Sequence, residues 1–324
     1  MKYCEVCGTL NLKENNYCTH CGCRIVEENI CPFCGKKNPD SSKFCINCNR
    51  QITPIAIDSL DDLFSEYNFS LLINSNFSLK DYVDILDRIF KKLDYIKITG
   101  KSAKEKILQI ANVFTSVIPV SSGVAKGEYA IQYIFYDDRL DECYQISTII
   151  HELAHFLLFD LAVNILSEIF GVKVSPALKS FVEYVFVDSQ IQIMNEFYAH
   201  TVENRYIPIE FQRYNSYYKC VSDLGFSEED CQVFIELGSS YAQDIIHYLD
   251  KYIDENLRES IKLQFKIDMV EPKGNLSGNF AKELLDHDEK NKLFIGLMAF
   301  YFENLYNNKE AREELEYIKY KFEE

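Results

Sequence analysis

The sequence predicts an α+β protein in which a cysteine-rich head precedes a mostly helical body with a small β-sheet. Nine of the twelve cysteines lie within residues 4–48, so the cysteine count describes the head alone. Most of the body carries apolar residues at helical spacing, and one short segment alternates as a strand does. Hydrophobic residues make up 47% and charged residues 26% of the 324 residues, which is typical of globular proteins and excludes a disordered chain.

The head is an internal repeat. Residues 4–25 and 31–52 each contain two Cys-x-x-Cys pairs separated by ten residues. Two thiolates three positions apart bind one side of a Zn²⁺ ion, and a second pair completes a closed tetrahedral site, without which so short a segment has no core. The sequence therefore predicts two structural zinc sites. Their ligands are Cys4, Cys7, Cys18 and Cys21 in the first copy and Cys31, Cys34, Cys45 and Cys48 in the second.

These paired modules resemble the double zinc ribbons of many bacterial and archaeal proteins. The resemblance implies a structural head over residues 1–52, with docking of a protein partner as its further use. His20 and Cys23 lie beside the first site but outside its spacing, so we expect neither to bind the ion. A closed site with four cysteine ligands leaves no open coordination position for catalysis.

The charge and hydropathy of the sequence limit the binding partners and the cellular compartment that we expect for the protein. Residues 1–50 carry seven Lys/Arg and five Asp/Glu, a formal +2, so the rest of the −16 total is −18. An acidic body repels phosphate backbones, which argues against nucleic-acid binding by the body. The most apolar stretch, Leu153 to Leu166, contains His155 and Asp160, and we expect it to be too short and too polar to span a bilayer. No secretory signal is evident, so we predict a cytoplasmic protein with no membrane contact.

The first part of the body is predicted to be helical and then to form a strand. Residues 51–59, which contain Pro54, form a predicted linker before a helix capped by Asp58 or Ser59. Helical spacing continues over residues 59–118, with Ser78 as a further N-cap. Residues 129–136 then alternate as a strand that ends at the acidic turn Asp137-Asp138.

The rest of the body is predicted to be helical. A long helix runs from about Asp141 to Phe170 and stops at Gly171, and another starts at Ser175-Pro176. A third helix runs from about Ile191 to Tyr206, before Pro208, and residues 227–324 are helical with a break from Glu271 to Gly278. The predicted domains are residues 1–52, residues 58–215 and a C-terminal helical region, residues 216–324.

The long helix carries the motif His151-Glu152-Leu153-Ala154-His155. Positions i and i+4 share a helix face, so both imidazoles can bind one metal ion, while the intervening carboxylate faces the ion's water ligand. The flanking residues are apolar, as a buried metal site requires. We predict His151 and His155 as ligands of a catalytic zinc and Glu152 as the general base.

An open catalytic site needs a third protein ligand. Glu168 lies thirteen residues beyond His155, about 20 Å along the same helix at 1.5 Å per residue, and cannot reach the ion. The candidates therefore follow Gly171. Glu183 and Glu196 are the main candidates, and Asp188 and His200 are weaker ones.

About residues 127–208 combine a strand, the His-Glu-Leu-Ala-His helix and a downstream Glu-x-x-Ala helix that ends before a proline. This combination resembles the ImmA/IrrE family of zinc metallopeptidases. The resemblance implies a zincin-like fold of the gluzincin type, Glu196 as the third ligand and an edge strand that pairs with extended substrate. It also implies hydrolysis of peptide bonds in a protein substrate, with regulatory, repressor-type proteins as the analogous substrate class. His200 stands where the family has Asn, and we expect it to stabilise an oxyanion, to orient a ligand or to replace Glu196.

A second interpretation belongs to another functional class. The chain would keep the zincin fold without hydrolysing peptides, and its zinc ribbons would dock protein or nucleic acid. The two interpretations share a prediction of two structural zinc ions, and the peptidase adds one catalytic zinc ion.

Overall fold

A computed structural model of the chain describes residues 57–121, 127–130, 133–187, 189–227, 229–272 and 284–323, with short pieces of the first 56 residues. The described part is mostly helical with a small sheet, which is consistent with the predicted α+β class. The chain divides into two compact units. The first comprises Met1–Ile96, Leu161–Val182 and Ile295–Glu324, and the second comprises Lys97–Asp160 and Glu183–Phe294. The boundaries at residues 58, 215 and 216 stay a prediction.

In the head, β1 (Lys2–Tyr3) pairs antiparallel with β2 (Leu10–Asn11). The same turn recurs in both copies of the repeat: the His20 N–H donates to the Cys18 Sγ and the Asn47 N–H donates to the Cys45 Sγ, each at 3.4 Å. Both sulfurs belong to buried residues. The other predicted ligands, Cys4, Cys7, Cys21, Cys31, Cys34 and Cys48, lie outside the described residues, as does Cys23.

Serine residues cap three helices in the N-terminal part of the first unit. These helices are α1 (Leu60–Leu63), α2 (Glu66–Ile73) and α3 (Leu79–Phe90), which continues into a 3-10 turn at Lys91–Tyr95. Ser59, one of the two predicted caps, accepts from the Asp62 N–H, and Ser78 forms a capping box with Asp81.

Aromatic rings form the core of the first unit. The Phe302 ring centroid lies 4.9 Å from that of Phe64 and 5.7 Å from that of Phe181. Phe69 and Phe170 contact the same ring, each at 5.9 Å between centroids. Burial of these large apolar rings stabilises this unit.

The second unit opens with a helix and a three-stranded sheet. After α4 (Ala103–Phe114), β3 (Ser116–Val120) pairs in parallel with β5 (Tyr133–Asp137), and β4 (Gly127–Ala130) pairs antiparallel with the other side of β5. The strand order is therefore β3-β5-β4. The prediction of helical spacing up to residue 118 was wrong at its end, because pairing with a distant strand determines the conformation of Ser116–Val120.

The single strand predicted over residues 129–136 is two strands. Gly127–Ala130 pairs antiparallel with Tyr133–Tyr136, so β4 and β5 run in opposite directions. Residues 131–132 lie outside the described residues. One continuous strand would place residue 129 in phase with Tyr133 and Phe135, whereas the register pairs it with Ile134. The alternation over residues 129–136 therefore predicted strand structure but not the pairing of two strands.

The remaining helices follow the predicted order. Pro176 begins its helix as predicted, and Ser175 Oγ accepts from the Leu178 N–H. Gly171 adopts a φ of 65°, which suits a glycine after a helix end. The helices are α5 (Glu142–Phe170), α6 (Pro176–Val187), α7 (Ser189–Asn204), α8 (Asn215–Leu224), α9 (Gln232–Leu249), α10 (Glu255–Ile267), α11 (His287–Asn307) and α12 (Lys309–Lys321).

Helix α5 corrects the expectation that its apolar stretch is too short and too polar for a bilayer. By length and composition alone, α5 qualifies as a membrane-spanning helix. The stretch from Leu153 to Leu166 is only part of this helix, which runs over 29 residues from Glu142 to Phe170. Within the protein 67% of its most apolar window is buried, as in the core helix of a soluble protein.

Close packing of α7 against α8 and α9 positions the side chains described below. Ile193 and Phe197 of α7 join a buried cluster with Tyr217 and Ile235. At Gly238 of α9, a Cβ atom would lie 2.9 Å from the Met194 carbonyl oxygen of α7. The absence of a side chain at this glycine therefore lets the two helix backbones approach.

We expect Gly238→Ala to lower the free energy of unfolding by about 1–3 kcal/mol, because overpacking outweighs the gain in helix propensity. Chemical denaturation of both variants and the wild type measures the effect. Gly296→Ala is the matched control, since no heavy atom of the described residues lies within 4 Å of a Cβ there, and it should be neutral or stabilising. Equal effects at the two glycines would contradict the packing argument.

Candidate metal centre

Two helices bring three of the predicted ligands together. His151 and His155 lie one turn apart on α5, and their Nε2 atoms are 3.2 Å from each other. Glu196 of α7 places Oε2 at 3.5 Å from the His151 Nε2 and Oε1 at 3.8 Å from the His155 Nε2. The three side chains are 12%, 8% and 17% exposed, in the order His151, His155 and Glu196. The centre is therefore nearly buried and keeps a small opening at Glu196.

Hydrogen bonds at the Nδ1 atoms of the two imidazoles determine whether their Nε2 atoms carry a proton or a free lone pair. His151 Nδ1 lies 3.2 Å from Glu203 Oε2, and His155 Nδ1 lies 2.8 Å from Asn195 Oδ1. Because both oxygens are acceptors, each neutral imidazole carries its proton on Nδ1, and this tautomer is assigned from the partners. The two Nε2 lone pairs then face each other and the Glu196 carboxylate. Three electron-pair donors this close repel one another unless a cation lies among them.

The donor set fits zinc. With Zn–N bonds of about 2.0–2.1 Å, tetrahedral geometry separates neighbouring ligand atoms by about 3.3 Å. The two Nε2 atoms are 3.2 Å apart, and the distances from them to the Glu196 carboxylate oxygens are 3.5 Å and 3.8 Å. Imidazole donors from i and i+4 with one carboxylate are also the ligand types that zinc prefers.

The pKa values of His151, His155 and Glu196 also indicate that the pocket favours positive charge. Burial favours the neutral form of His151, but hydrogen bonds to Glu196 and Glu203 raise its pKa well above the ordinary value. Burial lowers the pKa of His155 to about 4. Burial opposes ionisation of Glu196, yet the charges and hydrogen bonds of His155 and His151 hold the pKa of Glu196 well below the ordinary value. The pocket therefore holds an ionised carboxylate, and without a metal ion a proton on His151 supplies the positive charge beside it.

Glu203 and Asn195 belong to the centre although no sequence motif pointed to them. The Glu203 carboxylate accepts hydrogen bonds from Ser147 Oγ, His151 Nδ1 and His200 Nδ1, the last at 3.0 Å. Glu196, His200 and Glu203 are spaced i, i+4 and i+7, so one face of α7 supplies them all. This spacing is the sequence signal that could have identified Glu203.

His200 contacts two residues that hold the proposed ligands, Glu203 and Ser216. Its Nδ1 faces Glu203, and its Nε2 lies 2.7 Å from Ser216 Oγ, which in turn donates to Glu196 Oε2. His151, Glu196 and His200 also offer one ligand atom each within 4.8 Å of one another, so His200 remains an alternative ligand. Since protein groups contact both of its ring nitrogens, the contacts favour a positioning role.

The other predicted residues are placed as follows. Glu152 is buried beside His151, and its charge contributes to the raised pKa of that imidazole. Glu183 lies on α6, whereas the carboxylate found beside His151 and His155 is that of Glu196 on α7. Asp188 lies outside the described residues.

We expect Glu203→Gln to weaken zinc binding at this centre about 10–100-fold, because it removes the charge that orients His151 and increases its basicity. Titration of the metal-free protein with zinc against a competing chelator measures the affinity. The matched control is Glu210→Gln, an exposed carboxylate in the 3-10 turn at Ile209–Phe211, which should bind zinc as the wild type does. An unchanged affinity in Glu203→Gln would contradict this role.

Comparison with known proteins identifies one part of the chain. Residues 30–52 match the zinc-ribbon domain family, which covers the second copy of the head repeat. No curated protein and no solved structure matches the chain significantly. Residues 30–52 therefore form a zinc-ribbon domain, which implies structural zinc binding.

Proposed function

We propose that the chain is a zinc-dependent endopeptidase that hydrolyses peptide bonds of a protein or peptide substrate in the cytoplasm. The observation that carries the proposal is the convergence of His151 Nε2, His155 Nε2 and the Glu196 carboxylate within 3.2–3.8 Å, with Glu152 next in sequence to the first ligand. In the proposal these three residues hold a catalytic zinc ion in a zincin-like site of the gluzincin type.

In the proposed peptide hydrolysis, a bound zinc ion and Glu152 have different roles. A bound zinc ion polarises a substrate carbonyl and lowers the pKa of a water molecule. Glu152 acts as the general base: it takes a proton from the attacking water and returns it to the leaving amine. The apolar surroundings of α5 exclude bulk water, which strengthens these electrostatic interactions.

The residues behind the ligands keep them oriented. Glu203 and Asn195 hold the two imidazoles by their Nδ1–H groups, so that both Nε2 atoms face the ion. Ser216 holds one oxygen of Glu196, and His200 contacts Ser216 and Glu203 together. The proposed role of His200 is therefore to position Glu196 and His151.

The sheet offers a place for an extended substrate. In the order β3-β5-β4, β4 is an edge strand, and β5 takes the central position. An edge strand presents unpaired backbone groups, to which an extended peptide can add as a further strand. We assign this role to the backbone of Gly127–Ala130.

The head supports a second function, the docking of a protein partner. Within the zinc-ribbon domain, Ile46 follows the buried Cys45 and is 66% exposed, so the turn presents an apolar side chain to solvent. The first copy has the same N–H to sulfur hydrogen bond at Cys18 as the second copy has at Cys45. We propose that the first copy also binds a structural zinc ion and that the two ribbons recruit the substrate or a regulator.

We expect Glu152→Gln to reduce hydrolysis of unfolded β-casein about 10²–10⁴-fold while zinc content is unchanged, because the amide cannot act as a base. Peptide release is followed by mass spectrometry. Glu168→Gln on the same helix is the control and should retain activity. A wild type that contains the third zinc and cleaves nothing would contradict the peptidase and favour a binding protein that keeps the zincin fold.

A further inference from the structure

The third proposed ligand is held by a residue of a different helix. Ser216, in the first turn of α8, donates from Oγ to Glu196 Oε2, and the same Oγ lies 2.7 Å from His200 Nε2. Twenty residues separate Ser216 from Glu196 in the sequence, so the contact depends on the packing of α8 against α7. Ser216 therefore supports the carboxylate as Glu203 and Asn195 support the two imidazoles.

Two aromatic side chains fix the start of α8 at this position. The Tyr217 ring centroid lies 5.1 Å from that of Phe197, and the Tyr214 ring stacks on Phe197 with 5.0 Å between centroids. Tyr217 and Phe197 are buried. Tyr214 and Tyr217 lie on either side of Ser216 in the sequence, and Phe197 directly follows Glu196. Close packing of these rings therefore holds the hydroxyl beside the carboxylate.

Ser216 does not occupy the N-cap position of its own helix. Serine and asparagine are preferred N-cap residues, because their side chains accept from the exposed N–H groups of the first turn. Asn215 and Ser216 nevertheless lie inside α8, and Tyr214 takes the N-cap position, where its side chain makes no capping hydrogen bond. The start of α8 therefore departs from a local preference, as is expected where a side chain serves a site.

The hydrogen bond makes the two oxygens of Glu196 unequal. Oε2 accepts from Ser216 and lies 3.5 Å from the His151 Nε2, whereas Oε1 lies 3.8 Å from the His155 Nε2. The hydrogen bond draws electron density from Oε2 and fixes the plane of the carboxylate, so Oε1 is the better electron-pair donor. A carboxylate that binds zinc through a single oxygen leaves the fourth position of the ion open for water.

We propose that Ser216 is a positioning residue whose hydroxyl engages Oε2, so that Glu196 binds the zinc ion through Oε1 alone. The inference rests on the zinc centre of the proposed function. In a protein without this hydroxyl, the carboxylate loses its fixed orientation, which weakens the centre. Oε2 also becomes available to the ion, which raises the coordination number.

Cobalt binding tests the inference without relying on hydrolysis. The full chain is prepared with zinc in the cysteine sites of the head, and Co²⁺ is titrated into the body centre. Co²⁺ binds such ligands more weakly than zinc does, so it leaves the zinc of the head in place. Visible absorption gives the dissociation constant, and the d–d bands of Co²⁺ weaken when a fifth ligand atom joins a tetrahedral ion.

The variants change only the hydroxyl group. Ser216→Ala removes it, and Ser216→Thr keeps it. Ser222→Ala, which changes an exposed serine of the same helix, is the matched control. The variant His151→Ala/His155→Ala gives the absorption that does not arise from the body centre.

We expect Ser216→Ala to bind Co²⁺ about tenfold more weakly than the wild type, since the second oxygen offsets part of the lost orientation, and to show weaker d–d bands. Ser216→Thr should restore the affinity and the bands, and Ser222→Ala should match the wild type. A wild-type spectrum in Ser216→Ala would overturn the inference even if the affinity falls. A Ser216→Thr protein that behaves as Ser216→Ala does would also overturn it.

The failure of this inference and the failure of the proposed function are distinguishable. If the wild type hydrolyses β-casein but Ser216→Ala has the wild-type Co²⁺ spectrum, the peptidase stands and the positioning role falls. If nothing is hydrolysed but the spectrum still depends on the hydroxyl, the positioning role stands and the peptidase falls. If the wild type binds no more Co²⁺ than His151→Ala/His155→Ala does, both fall.

Discussion

The arrangement of the candidate centre depends on two hydrogen bonds that face away from it. By accepting from the Nδ1–H groups of His151 and His155, Glu203 and Asn195 place the lone pairs of both imidazoles on Nε2, where they face each other at 3.2 Å. The Glu196 carboxylate joins them, and either a proton on His151 or a metal ion would relieve the repulsion among the three donors. The zinc proposal, the role of Glu152 and the assignment of His200 as a positioning residue all follow from this constraint.

Helix α7 supplies most of the side chains that support the imidazoles of the centre. It carries Asn195, Glu196, His200 and Glu203, which supply one proposed ligand and the partners of three imidazoles. Its position is set on the opposite side, where the backbone of α9 approaches Met194 at Gly238. Packing at a glycine and the geometry of a metal centre are therefore linked through one helix: a displacement of α7 would move both the ligand and its supports.

Local signals predicted much of this structure from the sequence. The N-cap at Ser78, the start of α6 at Pro176 and the end of α5 at Gly171 each depend on residues within a turn of the boundary, and all are present. The pairing of β3 with β5 joins residues far apart in sequence, and no local pattern distinguishes it from the end of a helix. Glu203 and Asn195 were missed for a related reason, because their function appears only when α5 and α7 lie together. The motif around His151 predicted the helix and the face, and the spacing alone left Glu183 open as a ligand.

The central claim is that the body of the chain binds a zinc ion of its own, beyond those of the head. The most direct measurement is elemental analysis of zinc per chain in the purified wild type and in the variant His151→Ala/His155→Ala. We expect about three zinc ions in the wild type and about two in the variant, since the cysteine sites of the head remain. Equal zinc content in the two proteins would contradict it.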